Sequence, residues 1–387
     1  MDLSIFLQSV SSSFKSEDYE SFQLGSVTEF NPDIEEDLEG QTRLAVIGVP
    51  EGRGSIENQA CSKAPHLIRE YLYKLGKPTD QIKLYDFGNI EPGNSIEDTY
   101  YAVSGSVSQL IKNGYVVVIL GGGQDLTFAN YNAYGDLEQT VDMVSVDSKF
   151  DLGNQNEQLG SDNFLSKIVA QQPNYLFNHT NIGYQTYFMD DRSIHIMEQL
   201  YFDCHRLGNV QRDIEVVEPM VRNADMLSFD ISAIRFSDAP GCAHASPHGL
   251  YGEEACAIAR YAGLSDKLSS IGFYEMNPEL DQRGQSAHLV AQLVWHFAQG
   301  VCHRKKDYPV ADKSEYTKYL VPLSDGENEI VFYKSNLSER WWMEVPYPSK
   351  PNMKYKRHAM IPCSYHEYLQ ATQDEMPDRW WKTFQKL

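Results

Sequence analysis

No signal that would carry the chain into or across a membrane is expected. No apolar run approaches the roughly 18–20 residues that span a bilayer. Met1-Asp2-Leu3-Ser4 opens without a basic region followed by an apolar stretch, so no secretory signal is expected. Cysteine is sparse, six in 387 residues, and Cys61, Cys204, Cys242, Cys256, Cys302 and Cys363 show no CxxC spacing. That excludes zinc-type spacing and reads as reduced, mostly buried thiols of a cytoplasmic protein. Positive charge is scarce as well: 33 Lys and Arg face 54 Asp and Glu, a formal net charge of −21. Such a surface repels nucleic acid and anionic membrane, and both are excluded as partners. Solenoid-type repeats and low-complexity segments are absent.

What is present suits one large α/β domain plus an appendage. Residues 1–40 form an acidic lead-in, where Glu17, Asp18, Glu20, Glu29, Asp33, Glu35, Glu36, Asp37 and Glu39 face one Lys15. Residues 41–300 alternate short apolar runs with helical patterns. Leu44–Val49, Tyr115–Leu120, Val141–Val146, Met226–Phe229 and Ser269–Tyr274 read as buried strands. Helices are expected from Ala64 through Tyr73 and over 96–113, 208–222, 249–262 and 283–299. Continuous apolar strands alternating with helices predict a mainly parallel sheet covered on both faces, a three-layer α/β/α domain. In residues 301–387 that rhythm stops. Tyr319–Leu323 and Ile330–Tyr333 flank an Asp325-Gly326 turn and predict a hairpin. Four of the five tryptophans fall there, in two Arg-Trp-Trp pairs, and read as the core of a small subdomain or its dock on the main one.

Ligands of parallel sheets bind beyond the carboxyl ends of the strands. Leu120 is followed by Gly121-Gly-Gly-Gln124-Asp125, Val146 by Asp147-Ser148-Lys149-Phe150-Asp151, and Phe229 by Asp230-Ile231-Ser232. Three carboxylates, Asp147, Asp151 and Asp230, thus share one sheet edge, where they repel unless a cation joins them. A divalent metal or the Lys149 ammonium would serve; separate, solvated loop aspartates are the plain alternative.

These segments resemble the signatures of the ureohydrolases (arginase, agmatinase and formimidoylglutamase): Gly-Gly-x-His-x-Leu, Asp-x-His-x-Asp and Ser-Phe-Asp-x-Asp. The likeness extends through Gly48-Val49-Pro50, Ala64-Pro65, Ile68-Arg69 and Asn181-Ile182-Gly183 to Glu275-Met-Asn-Pro-Glu-Leu-Asp281. The wording of Pro50-Glu51-Gly52 and Gly121-Gly122-Gly123 is similar to the formimidoylglutamases. The resemblance implies an arginase-like fold and a pair of manganese ions sharing a hydroxide that attacks an amidine or guanidinium carbon.

Carried over by position, Asp147, Asp151 and Asp230 match metal-binding aspartates. Gln124 stands at the first histidine, Lys149 at the second and Ser232 at the last aspartate. Glu275 matches the carboxylate that holds the cationic end of the substrate; Asn163 and His248 are assigned to the same substrate site. An ammonium has no lone pair for a metal, so Lys149 is expected to displace the second ion and to pair with Asp147 and Asp230. Gln124, Asp147, Asp151 and Asp230 form an oxygen set suited to one Mn, Mg or Ca ion. The expectation is an impaired hydrolase or pseudoenzyme serving a scaffold, sensing or assembly role. The alternative is an active hydrolase of linear amidines with one metal or a rearranged site, Asp151 and Lys149 being its catalytic candidates. An amidine or guanidino ligand, a protein partner for the C-terminal region and a homo-oligomer are the expected associations.

Overall fold

Strands buried on both faces place the candidate residues. The computed structural model describes residues 5–34, 43–79, 82–309, 313–323, 329–347 and 353–387. Glu35, Glu36, Asp37, Glu39 and the expected Asp325-Gly326 turn lie outside them. The main sheet holds β1 (Leu7–Gln8), β2 (Thr28–Phe30), β3 (Arg43–Gly48), β4 (Lys83–Ile90), β5 (Tyr115–Leu120), β6 (Val141–Val146), β7 (Leu176–Tyr184), β8 (Asp203–Arg206), β9 (Met226–Asp230) and β10 (Ser270–Tyr274). Their order is β1-β4-β3-β5-β10-β9-β6-β7-β8, with β2 also on β4. Only β1 runs antiparallel to its neighbour.

Alternation of side chains along the strands separates two cores. Leu44 and Val46 of β3 and Val118 and Leu120 of β5 pack with Ile68, Ala259 and Val294 from the helices Ala64–Leu72, Gly252–Leu264 and Gln285–Cys302. Ala45, Ile47, Val117 and Ile119 point the other way, onto Val103, Val107 and Ala129 of Ile96–Lys112 and Leu126–Asp136. The result is the three-layer α/β/α architecture. Among the described residues no helix is long and apolar enough to cross a membrane.

Two sequence expectations need correction. The helix expected over 208–222 is three pieces, Leu207–Arg212, a 3-10 turn Ile214–Val217 and Glu218–Asn223. Asp213 breaks the run: it is extended (φ −153°, ψ 96°) and its carboxylate accepts the Glu215 N–H, while Pro219 occupies the first turn of the third piece. Strands β4, β7 and β8 escaped the apolar pattern because buried polar residues interrupt it. Asp86 in β4 is one; it is satisfied by the Arg69 guanidinium at 2.7 and 2.9 Å and by the Tyr73 hydroxyl.

Beyond 302 lies a four-stranded antiparallel sheet, β11 (Tyr316–Pro322), β12 (Glu329–Ser335), β13 (Trp341–Glu344) and β14 (Met360–Cys363), with helices Tyr365–Thr372 and Asp378–Lys386. Trp341, Trp342 and Trp380 are buried and Trp381 is exposed. Trp341 stacks on Tyr368 with centroids 4.8 Å apart, and the Arg222 guanidinium lies 4.6 Å over Trp342. Arg357 reaches Asp225 at 2.5 Å, while Lys267 and His358 Nδ1 (2.9 Å) converge on Asp142. Asp142 is the second residue of β6 and Asp225 immediately precedes β9. The C-terminal sheet therefore docks at the edge of the main sheet opposite the strands' carboxyl ends.

Candidate functional site

Four adjacent strands, β5, β10, β9 and β6, deliver Gln124, Glu275, Asp230 and Asp147 at their carboxyl ends. The turn after β5 must pass close to the loop after β3, since a Cβ on Gly122 would sit 1.6 Å from the Glu51 carbonyl oxygen. That passage fixes Gln124. Its backbone N–H donates to Glu275 Oε1 at 2.7 Å, and its side-chain Nε2 donates to Asp147 Oδ2 at 2.7 Å.

Backbone amides hold the other carboxylates. Asp147 Oδ1 accepts the Lys149 N–H at 2.8 Å, and Asp230 Oδ1 accepts the Ser232 N–H at 2.7 Å. Asp151, in the left-handed region at φ 49°, is hydrogen-bonded to Asp147. Glu275 is also left-handed, φ 66°, and its Oε2 accepts from Ser55 Oγ at 2.5 Å and Asn58 Nδ2 at 2.8 Å. Burial dominates the electrostatics. It raises the Asp147 and Glu275 carboxyls, and burial together with the Asp147 charge holds Asp151 and Asp230 well above the usual carboxylate range.

Lys149 departs from expectation. Its ammonium makes no ion pair with a described residue; the side chain is exposed and its Nζ lies 5.9 Å from the Phe188 ring centroid. The main-chain N–H, not the ammonium, meets Asp147. With the carboxyl oxygens already served by an amide side chain and two backbone donors, burying the ammonium would forfeit hydration for little gain.

His248 is exposed at the rim, with Nδ1 3.1 Å from the Tyr187 hydroxyl. Asn163 is buried, and its amide is spent on its own loop, accepting from Gly160 N at 2.9 Å and donating to Gln158 O at 2.9 Å. Ser232 is buried beside Asp230. Ser55 and Asn58, which clamp Glu275, were missed; their only sequence signal was a position shortly after Pro50-Glu51-Gly52, on a strand end without a recognised ligand.

A dinuclear manganese centre does not fit these residues. An amide N–H faces Asp147, an ammonium and a hydroxyl replace two ligand positions, and Asp147 and Asp151 bond to each other. Among the described residues no three His, Cys, Asp or Glu side chains are grouped so as to hold a metal ion. The arrangement is a cluster of buried carboxyl groups that can accept hydrogen bonds from a cationic head.

Fold, strand-end residues and sequence model agree on the class: residues 42–299 match the arginase family model, and the chain belongs to the arginase family. It is similar to the formimidoylglutamase of Staphylococcus haemolyticus, 26% identical over 68% of this chain and 88% of that protein. It is 25% identical to that of Bacillus subtilis over 78% of this chain and 98% of that one. The B. subtilis structure superposes with a TM-score of 0.65 at 21% identity, covering 79% of this chain and 99% of that one. Trypanosoma cruzi formiminoglutamase, solved with Mn2+, gives 0.64 at 20% identity, covering 73% and 99%.

Proposed function

We propose that this formimidoylglutamase-like chain is a pseudoenzyme that binds a linear amidine or guanidino cation without hydrolysing it, in a sensing or assembly role. The observation that carries the reading is the Gln124 Nε2 to Asp147 Oδ2 hydrogen bond, which puts a donor where the family needs a metal ligand. Glu275, held by Ser55, Asn58 and Gln124, supplies the anchor for the cationic head.

Metal analysis of the purified chain, an assay of formamide and urea release, and calorimetric titration with formimidoyl and guanidino compounds test this together. The expected result is less than one metal per chain, no product, and saturable binding that Glu275→Gln removes. Two manganese ions per chain, or product release, sinks the pseudoenzyme reading. Absence of binding to every compound sinks the ligand.

A further inference from the structure

We propose that the C-terminal sheet carries a second binding site, for a flat, largely apolar small molecule bearing one acidic group. A cavity of about 660 Å³ opens beside β12, β13 and β14. Pockets that enclose small molecules commonly measure ~300–1,000 Å³ and are walled mainly by apolar groups with a few polar ones. Val331 of β12, Val345 just past β13 and Met360 of β14 form the apolar wall, and Tyr308 and Tyr347 add aromatic rings to the lining, which suits a flat body. Trp342 and Tyr333 pack with Met360 and support that wall from the core.

Charge decides the kind of ligand. This chain carries a net charge of −21, yet Lys313, Lys356 and Arg357 at the cavity outnumber Glu329 and Glu344. Two other cavities, of about 720 and 710 Å³, have the opposite balance. The first has Arg260 against Asp238 and Glu253; in the second, five carboxylates face Arg212 and Arg379. Within the basic cavity two cations are already engaged. Arg357 bonds Asp225 at 2.5 Å, and Lys313 bonds Glu344 at 3.0 Å, whose other oxygen accepts from the Tyr333 hydroxyl at 2.9 Å. Lys356 and Glu329 are both exposed and ion-paired to no described residue, and of these two free charges it is the Lys356 ammonium that meets the ligand's acidic group. Arg357 lines the cavity, and none of the carboxyl-cluster residues does, so the two sites are separate.

The test uses the full chain and anilinonaphthalene sulfonate, a flat aromatic anion, followed by its fluorescence. Saturable binding at one site per chain is expected, and Val331→Trp, which fills the cavity, abolishes it. Lys356→Glu weakens it about fivefold, and the uncharged phenylnaphthylamine binds wild type less tightly than the sulfonate but loses nothing in Lys356→Glu. Circular dichroism and melting temperature check each variant's fold. Should Val331→Trp fail to fold, the exposed Lys356 and the charged-against-uncharged comparison decide alone. Dye fluorescence that never saturates, or sulfonate affinity unchanged by Lys356→Glu, overturns the proposal.

Discussion

Gln124 and Asp147 join strands that are not neighbours: a 2.7 Å hydrogen bond from amide nitrogen to carboxylate links the ends of β5 and β6 across β10 and β9. The bond crosses the carboxyl cluster and, with the Lys149 N–H, gives each Asp147 oxygen a hydrogen-bond donor.

The combination Gln124→His, Lys149→His and Ser232→Asp replaces that donor, the exposed ammonium and the hydroxyl with metal ligands. The triple variant is expected to take up about two manganese ions per chain where wild type takes less than one. Inductively coupled plasma mass spectrometry reads the outcome directly. An unchanged metal content would mean that these three positions do not converge on one site.

Lys149→Ala separates the exposed lysine seen here from the ion pair expected of it. An unpaired surface ammonium contributes little, so the variant should unfold in urea within about 0.5 kcal/mol of wild type. A loss of several kcal/mol would show that Lys149 neutralises the buried carboxyls after all.

Lys267 is buried against Asp142 and Asp225, with Arg357 and His358 of the C-terminal region completing the cluster. Their attraction holds Asp142 well below the usual carboxylate range despite burial. Removing the ammonium leaves carboxylates short of a counter-charge. Lys267→Met is expected to cost about 3 kcal/mol, measured by chemical denaturation, and to expose the C-terminal sheet to limited proteolysis.

His179 lies inside β7 with Nδ1 lacking a hydrogen-bond partner among the described residues, and burial pushes its pKa down to about 3. The folded pKa is below the unfolded value, near 6.5, so the unfolded chain binds the extra proton between them. Its contribution to stability is present above pH ~6.5 and is lost as pH falls towards 3. His179→Leu should flatten the decline in stability between pH 7 and pH 4 by up to about 1.4 kcal/mol per pH unit below 6. Equal slopes for variant and wild type would remove the buried neutral histidine from the account.

The strand runs were legible because β3, β5, β6, β9 and β10 are buried on both faces, and such strands must be apolar throughout. The same rule hid β4 and β7, whose Asp86 and His179 find their partners from other parts of the chain. At the site, Gln124, Asp147, Asp230 and Glu275 were legible because each lies at or within four residues of the carboxyl end of an apolar strand. Ser55 and Asn58 were not, since nothing local connects a loop after β3 to a carboxylate about 220 residues later.

Order along the chain thus determined the layered architecture, the edge on which the carboxylates gather and the three departures from the ligand pattern. These follow from hydrophobic periodicity and residue type, which are local properties. Only the tertiary structure decided that the Gln124 amide rather than the Lys149 ammonium meets Asp147, and that the C-terminal sheet seals the far edge through Arg357 and His358. Whether a cation enters a buried cluster depends on hydration lost against partners already in place, and those partners come from strands and loops distant in sequence.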